Sequence, residues 1–410
     1  MPYKEVPRRH TRQVIKATLT PGERPLPQGL TSGELALNAA DGVLYARGPG
    51  RTLLEWQGAI EPDWKVAGPD IWPVYADSIA RTNASATVAD VLTTPNGEFP
   101  GSGGFIGGVL LPDGRVYCVP GGSTTARIYD PVADVLTTPN GTYPGGFGHQ
   151  AGVLLRDGRV FLVPASSTTA RIYDPVADEV TIPNGEYPTG NAFTGGVVLP
   201  DGRVFCAPFQ ATTARVYDPV ADEVTTPSGT FAGTFSGSAL LPDGRVFCVP
   251  RSATTGRIYD PVADEVTTTN GVFPGNNAFI GGVLLPDGRV YCVPYSSQSA
   301  RIYDPVTDQL ITPTGVYPGG TGFAGGVLLP DGRVYCIPRN PTAARIYDPV
   351  ADEVTTPSGV FPGGSAFFGG VLMADGRVFC IPWNSTSARL YGGGGSYNMN
   401  VLLSPYFNKF

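Results

Sequence analysis

The sequence predicts an all-β fold: a seven-bladed β-propeller with a small N-terminal β module and a short C-terminal tail. Three observations carry that prediction. The tetrapeptide Asp-Gly-Arg-Val begins at Asp113, Asp157, Asp201, Asp243, Asp287, Asp331 and Asp375, stepping by 44 residues except for one step of 42. A tyrosine follows each copy at a fixed offset, at Tyr129, Tyr173, Tyr217, Tyr259, Tyr303, Tyr347 and Tyr391. Repeats of about 40–50 residues that hold four short strands each are propeller blades. The third observation concerns the ends. The last copy stops after its third strand, while an unattached fourth-strand sequence, Val88 to Thr94, stands before the first copy and repeats Val132 to Thr138. If that orphan completes the last blade, the ring closes on seven blades and leaves few unpaired strand edges.

Within one repeat, each element has a local cause. Phe105 to Leu111 is an apolar run ending in Pro-Asp-Gly, a hairpin signal. Val116 to Pro120 is a second apolar strand, stopped by a proline that cannot donate to a ladder. Ala126 to Pro131 is a third, closed by Asp-Pro, and Val135 to Pro139 is a fourth, rich in β-branched residues. Strands that are apolar throughout imply burial on both faces, which stacked blades supply. No segment has helical periodicity with caps. The expected organisation is a module over residues 1–70, a linker over 71–87, the propeller over 88–393 and a linker with a docking tail over 394–410.

Composition narrows the function. The net charge is −7, and all four lysines (Lys4, Lys16, Lys65, Lys409) lie outside the repeats. With no basic run, nucleic acid is not an expected partner. No apolar stretch is long enough to cross a membrane as a helix, and the N-terminus lacks the apolar core of a secretion leader, so assembly in a cytoplasm is expected. Six cysteines (Cys118, Cys206, Cys248, Cys292, Cys336, Cys380) share one second-strand slot that holds Leu162 in the remaining blade. A slot that accepts leucine is an apolar packing position, so free buried thiols are expected.

The repeated line Gly-Gly-Val-Leu-Leu-Pro-Asp-Gly-Arg-Val, followed by Ala-Arg-Ile-Tyr-Asp-Pro, resembles kelch-type propeller repeats, including those of galactose-oxidase-like enzymes. The copper site of those oxidases is not carried over, because His10 and His149 are the only histidines and His149 stands in a slot that is phenylalanine in the other six blades. In the head, Gly33-Glu-Leu-Ala-Leu-Asn38 and Asp41-Gly-Val-Leu-Tyr-Ala-Arg47 resemble the short β module near the N-terminus of tailed-phage tail-fibre and related virion appendage proteins. The residues read as two strands, Glu34–Leu37 and Val43–Arg47. The resemblance implies that Glu34, Leu35, Leu37, Leu44 and Tyr45 belong to an attachment module binding other virion proteins, in a homo-oligomer expected to be a trimer.

No nucleophile elbow, P-loop, zinc spacing or His-Glu pair is present, so no catalytic residue, metal or cofactor is expected. Carboxylates recur before nearly every fourth strand (Asp134, Asp178-Glu179, Asp222-Glu223, Asp264-Glu265, Asp308, Asp352-Glu353), and repetition favours turn chemistry over a unique catalytic pair. The third-strand arginines (Arg127, Arg171, Arg215, Arg257, Arg301, Arg345, Arg389) are expected to form ion pairs with acids such as the aspartate after each repeat tyrosine.

Specificity belongs where the copies differ. The variable pair after the second-strand proline reads Gly121-Gly122, Ala165-Ser166, Phe209-Gln210, Arg251-Ser252, Tyr295-Ser296, Arg339-Asn340 and Trp383-Asn384. Alternating strands place this loop on the same face as the connection between blades, so Phe209, Arg251, Tyr295, Arg339, Trp383 and Asn384 are the expected ligand-binding residues. The tail, aromatic-rich after Gly392–Gly395, is expected to dock on a subunit or on the propeller. The function so implied is a non-enzymatic virion appendage, a tail fibre or similar, that presents a face to a host-surface glycan or protein. The alternatives are a purely structural or decorative virion protein and a propeller enzyme such as a glycan lyase or glycosidase.

Overall fold

A computed structural model describes residues 89–392 and, by backbone alone, four N-terminal strands. The chain divides into two compact units, Met1–Gly68 and Pro69–Phe410. In the first, Ile15–Thr18 runs parallel to Leu35–Asn38, which pairs antiparallel with Val43–Arg47, itself paired with Leu53–Trp56. The hairpin sets Leu37 opposite Leu44 and Ala36 opposite Tyr45. Glu34, the linker over 71–87 and the tail over 394–410 lie outside the described residues.

The second unit contains seven four-stranded antiparallel sheets. In blade one the strands are Phe105–Leu110, Val116–Pro120, Arg127–Asp130 and Val135–Thr137. Burial falls outward along the blade. Every residue of the first two strands is buried, whereas the fourth alternates exposed and half-buried. The inner strands are packed on both faces by neighbouring blades, so they take apolar residues throughout. The outer strand borders solvent and takes Val, Leu and Thr. Blade seven is completed by Leu92–Thr93, which pairs antiparallel with Leu390–Tyr391. The orphan sequence thus does close the ring, through two residues in ladder register.

Three sets of contacts run round the whole ring and join each blade to the next. The first is aromatic: each repeat tyrosine stacks on an aromatic in the second strand of an adjacent blade, from Tyr117–Tyr173 at 4.8 Å to Tyr335–Tyr391 at 4.3 Å, with Tyr129–Phe379 at 4.8 Å bridging the join. Such pairs contribute about 0.5–1.5 kcal/mol each beyond area burial. The second is polar. Asn140 donates through Nδ2 to Asp178 Oδ2 at 2.9 Å, and Asn96–Asp134, Asn184–Asp222, Ser228–Asp264, Asn270–Asp308 and Thr314–Asp352 repeat the clasp. At the join, Ser358 N donates to Asp90 Oδ1 at 2.8 Å. The third is steric: the glycine after each clasp lies against a fourth-strand side chain of the next blade, ending with Gly359 over Leu92.

The clasp explains the repeated carboxylates. Six of them, Asp134 to Asp352, adopt positive φ between 51° and 55°, a conformation that aspartate tolerates in turns. They accept a hydrogen bond from the tyrosine five residues earlier, as Tyr129 Oη does to Asp134 Oδ1 at 2.9 Å.

The third-strand arginines correct the sequence reading. Among the described residues none of them forms an ion pair. Arg127 instead donates through Nη1 to Thr125 Oγ1 and Ala126 O, both at 3.0 Å, and Arg215 does the same with Thr213 and Ala214. The aspartate after the tyrosine is already occupied: Asp130 Oδ1 accepts from the backbone of Val132 and Ala133, capping its own turn. The repeated ion pair belongs to the other arginine, Arg115 with Asp113 at 2.7 Å, and recurs in all seven hairpins. Most of these pairs are partly exposed and contribute little individually, the Arg333–Asp331 pair being the most covered. All six cysteines are free and buried, and burial pushes the thiols up, to about 12 at Cys336 and Cys380, where a tyrosine hydrogen bond partly opposes it.

Candidate binding face at the channel mouth

Antiparallel blades have two unlike ends. One end carries the seven first-to-second turns and the third-to-fourth turns of blades one to six, near-identical from copy to copy; blade seven takes its fourth strand from Leu92–Thr93 and has no such turn. There the valine of each Pro-Val-Ala-Asp or Pro-Val-Thr-Asp turn, from Val132 to Val350, is 84–95% exposed. The other end carries the second-to-third loops and the connections between blades, which differ. Backbone bonds knit these together: Phe209 N donates to Ala192 O at 2.7 Å, Trp383 N to Ala366 O at 2.7 Å, and Phe147 N to Gly121 O at 2.9 Å. Across the join, Gly103 N donates to Trp383 O at 2.9 Å.

On this face the idiosyncratic side chains form one continuous belt. The Arg251 guanidinium lies 5.2 Å from the centroid of Phe209 and 4.9 Å from that of Tyr295. Arg339 lies 5.6 Å from Tyr295 and 5.0 Å from Phe368. Phe368 tilts against Trp383 at 5.2 Å, and Trp383 stacks on Phe147 at 5.3 Å with 19° between planes. The order is therefore Phe209, Arg251, Tyr295, Arg339, Phe368, Trp383, Phe147. Each cation–π contact contributes roughly 0.5–2 kcal/mol, more as water is excluded.

The two guanidiniums are held by neutral groups only. Arg251 Nε donates to Asn277 Oδ1 at 3.0 Å, and Arg339 donates through Nε to Ser365 Oγ and through Nη1 to Tyr295 Oη, both at 3.4 Å. Among the described residues no carboxylate lies within ion-pairing distance of either. Burial lowers the proton affinity of Arg251; Tyr295 opposes this and the charge of Arg339 adds to it. Arginine nonetheless stays charged at any physiological pH.

The belt borders the mouth of the central channel, into which Arg251 and Phe368 both reach. A β-bulge interrupts the first strand of every blade just after its opening aromatic or histidine, between Phe105 and Gly108 in blade one and between His149 and Ala151 in blade two. A bulge removes a residue from the ladder and re-aims it. The bulged positions are Ile106, Gln150, Thr194, Ser236, Ile280, Ala324 and Phe368, all on the channel wall. Their chemistry is divided: Gln150, Thr194 and Ser236 make a polar arc over blades two to four, and the rest an apolar arc. Glycines let the strands approach one another below, so that a Cβ on Gly195 would sit 3.1 Å from Gly237 Cα. Ser238 also lines the channel, and its buried hydroxyl has no hydrogen-bond partner.

Of the residues expected from the sequence, Phe209, Arg251, Tyr295, Arg339 and Trp383 are brought together. Asn384 is not in the belt. Its Oδ1 accepts from Gly103 N at 2.9 Å, as Asn340 Oδ1 accepts from Ser365 N at 2.8 Å, so the second member of the variable pair fastens the neighbouring connection. The sequence reading missed Phe147 and Phe368. Phe147 was legible as the one aromatic in its connection slot, where the other copies carry Gly, Asn, Thr or Ser. Phe368 was hidden inside an apolar run read as scaffold. Leu35, Leu37, Leu44 and Tyr45 lie in the paired N-terminal strands, whose side chains are outside the described residues. His149 is 1% exposed and takes the place of the phenylalanine that opens the other blades. Among the described residues no cluster of three His, Cys, Asp or Glu side chains could hold a metal ion.

No family model matches the chain, and no curated protein matches it by sequence. Solved structures match the fold. Virginiamycin B lyase from Staphylococcus aureus superposes with a TM-score of 0.62 at 9% identity over 74% of this chain and 99% of its own. A streptogramin B lyase gives 0.63 at 11% identity, covering 74% and 98%. A fungal alcohol oxidase of the AA5 family in complex with copper gives 0.56 at 14%, covering 73% and 76%. At these identities the likeness is one of fold.

Proposed function

We propose that the chain is a non-enzymatic virion appendage protein, a tail fibre or a similar part, whose propeller presents the belt-bearing face to a glycan or protein on the host surface. The observation that carries the recognition role is the contrast between the two ends of the ring. One end repeats near-identical turns from blade to blade, seven first-to-second and six third-to-fourth, so it offers little to distinguish one sector from another. The other gathers nearly all the unique aromatic and arginine side chains into a single belt at a channel mouth. Aromatics and arginine are the residue types that dominate binding energy at recognition surfaces. The virion setting is supported by the Gly33–Asn38 and Asp41–Arg47 segments, through their resemblance to attachment modules of tail-fibre proteins.

Purified phage particles should contain this polypeptide, and labelled full-length protein should bind intact host cells. Trp383→Ala should reduce that binding by roughly tenfold or more while leaving the fold intact. Equal binding by the variant would remove the recognition role. Release of reducing ends from host polysaccharide would favour the enzyme reading instead.

A further inference from the structure

We propose that the channel mouth takes an acidic sugar, its anionic group held between Arg251 and Arg339 and its ring against the aromatic stretch Phe368, Trp383 and Phe147. This rests on the recognition face proposed above and names the chemistry of what that face binds.

Four observations point the same way. Both guanidiniums flank one ring, that of Tyr295, at 4.9 and 5.6 Å from its centroid, so the two like charges are held in one neighbourhood. The repeat arginines after each Asp-Gly all have an aspartate partner, and these two, like the third-strand arginines, have none among the described residues; unlike the third-strand arginines, which recur in every blade, they stand as a pair on the variable face. In a chain of net charge −7, leaving two neighbouring partly buried cations without a counter-charge is a cost that a bound anion would remove. Arginine's planar fork suits a carboxylate or sulfate, which accept two parallel hydrogen bonds.

The aromatic stretch supplies the second half. Beyond Arg339 the belt becomes purely aromatic, and Phe147 is 39% exposed, so this platform meets solvent next to the cationic pair. Sugar rings present apolar C–H faces to such planes. The polar arc of Gln150, Thr194 and Ser236, with the unpartnered Ser238 hydroxyl behind it, offers hydrogen-bonding groups across the channel. A neutral glycan would use the platform and the arc and leave the arginine pair unanswered. An acidic one uses all three.

The test uses the full-length chain and matched probes that differ chiefly in charge: oligogalacturonate against its methyl ester, a carrageenan oligosaccharide (a sulfated neutral galactan) against its desulfated form, and polysialic acid against its carboxyl-reduced form. The expected result is that the charged member of at least one pair binds at least about tenfold more tightly than its neutral partner, weakening as salt is added. Which pair responds identifies carboxylate or sulfate as the anion. Arg251→Gln with Arg339→Gln should abolish the preference while the protein stays folded, melting somewhat lower for the cation–π contacts it loses, whereas Arg251→Lys with Arg339→Lys, which keeps both charges, should retain part of the preference. Equal binding of charged and neutral partners, no binding of any charged probe, or an unchanged preference in the glutamine variant would each overturn the proposal. Neutral probes that bind and are lost on Trp383→Ala would leave the recognition face standing while the acidic ligand falls.

Discussion

The most sensitive probe of how the repeats tolerate exceptions is His149→Phe. His149 opens the first strand of blade two opposite Pro164, is 1% exposed, and stands edge-on to Tyr143 at 6.4 Å and 89°. The same edge-on contact is made by phenylalanine elsewhere, as in Tyr187–Phe193 and Tyr317–Phe323. The imidazole therefore does a phenylalanine's work with one buried nitrogen, Nε2, left without a partner. Burial, helped by the charge of Arg171 and opposed by a backbone hydrogen bond with Thr169, lowers its pKa from 6.5 to about 4. A folded-state pKa below the unfolded one means that the unfolded chain binds the proton more tightly. The penalty is thus absent above the unfolded value and grows as pH falls from about 6.5 towards 4. At 1.36 kcal/mol per unit, the native protein loses about 2.5 kcal/mol from this group by about pH 4.5. Phenylalanine removes that loss and also the unsatisfied nitrogen, worth about 1–3 kcal/mol at neutral pH. Urea unfolding of both proteins near pH 7 and near pH 4.5 isolates the histidine, because the carboxylates titrate equally in each. The variant should be more stable at both values, with its advantage larger by about 2 kcal/mol in acid. An advantage that does not change with pH would refute the assignment of a buried neutral imidazole.

Two further outcomes follow from the ring contacts. Gly359→Ala forces a side chain into φ +103° and places its Cβ 2.6 Å from Leu92 Cβ, at an inter-blade contact made by the closing strand. Backbone strain and overpacking together should cost about 2–4 kcal/mol, read as a lower melting temperature, and an unchanged melt would mean that the closing strand is not seated there. The six thiols should resist a thiol reagent near pH 8 in the native protein and react together on unfolding, since burial suppresses the thiolates; fast reaction of any one in the folded state would contradict its burial.

Much of the fold was legible because a repeat multiplies weak signals. One Asp-Gly turn says little, but seven at a near-constant spacing, each followed by a tyrosine, define a blade. The orphan Val88–Thr94 was legible for the same reason, as a fourth strand without its blade. The arginines were misassigned because linear order does not say which acid is already occupied. Asp130 looks free beside Arg127 in the sequence, yet its carboxylate caps the turn to Val132 and Ala133. Asp113 reaches Arg115 only because the intervening Gly114, at φ +89°, folds the hairpin back on itself. Of the belt, the loop members were legible as departures from the repeat. Phe368 was not, because a bulge, which alternation does not reveal, brings it to the channel wall.

The closing strand and the binding face are physically one problem. Only Leu92 and Thr93 join the ladder of blade seven, although the ring they close holds nearly three hundred residues of chain. Loop-closure entropy rises slowly with length, so a modest set of contacts suffices if they act together. Those contacts are the Ser358–Asp90 clasp, Gly392 N donating to Val91 O at 2.8 Å, Gly359 against Leu92, and Gly103 held by Trp383 O and Asn384 Oδ1. The last belongs to the binding face itself: Trp383 from blade seven stacks on Phe147 from the connection leaving blade one, so the platform crosses the join. An open ring would separate Trp383 from Phe147 and leave the belt ending at Trp383. Contacts that shut the ring therefore also assemble its aromatic platform, and a ligand that bridges Trp383 and Phe147 stabilises closure by the same free energy with which closure favours the ligand.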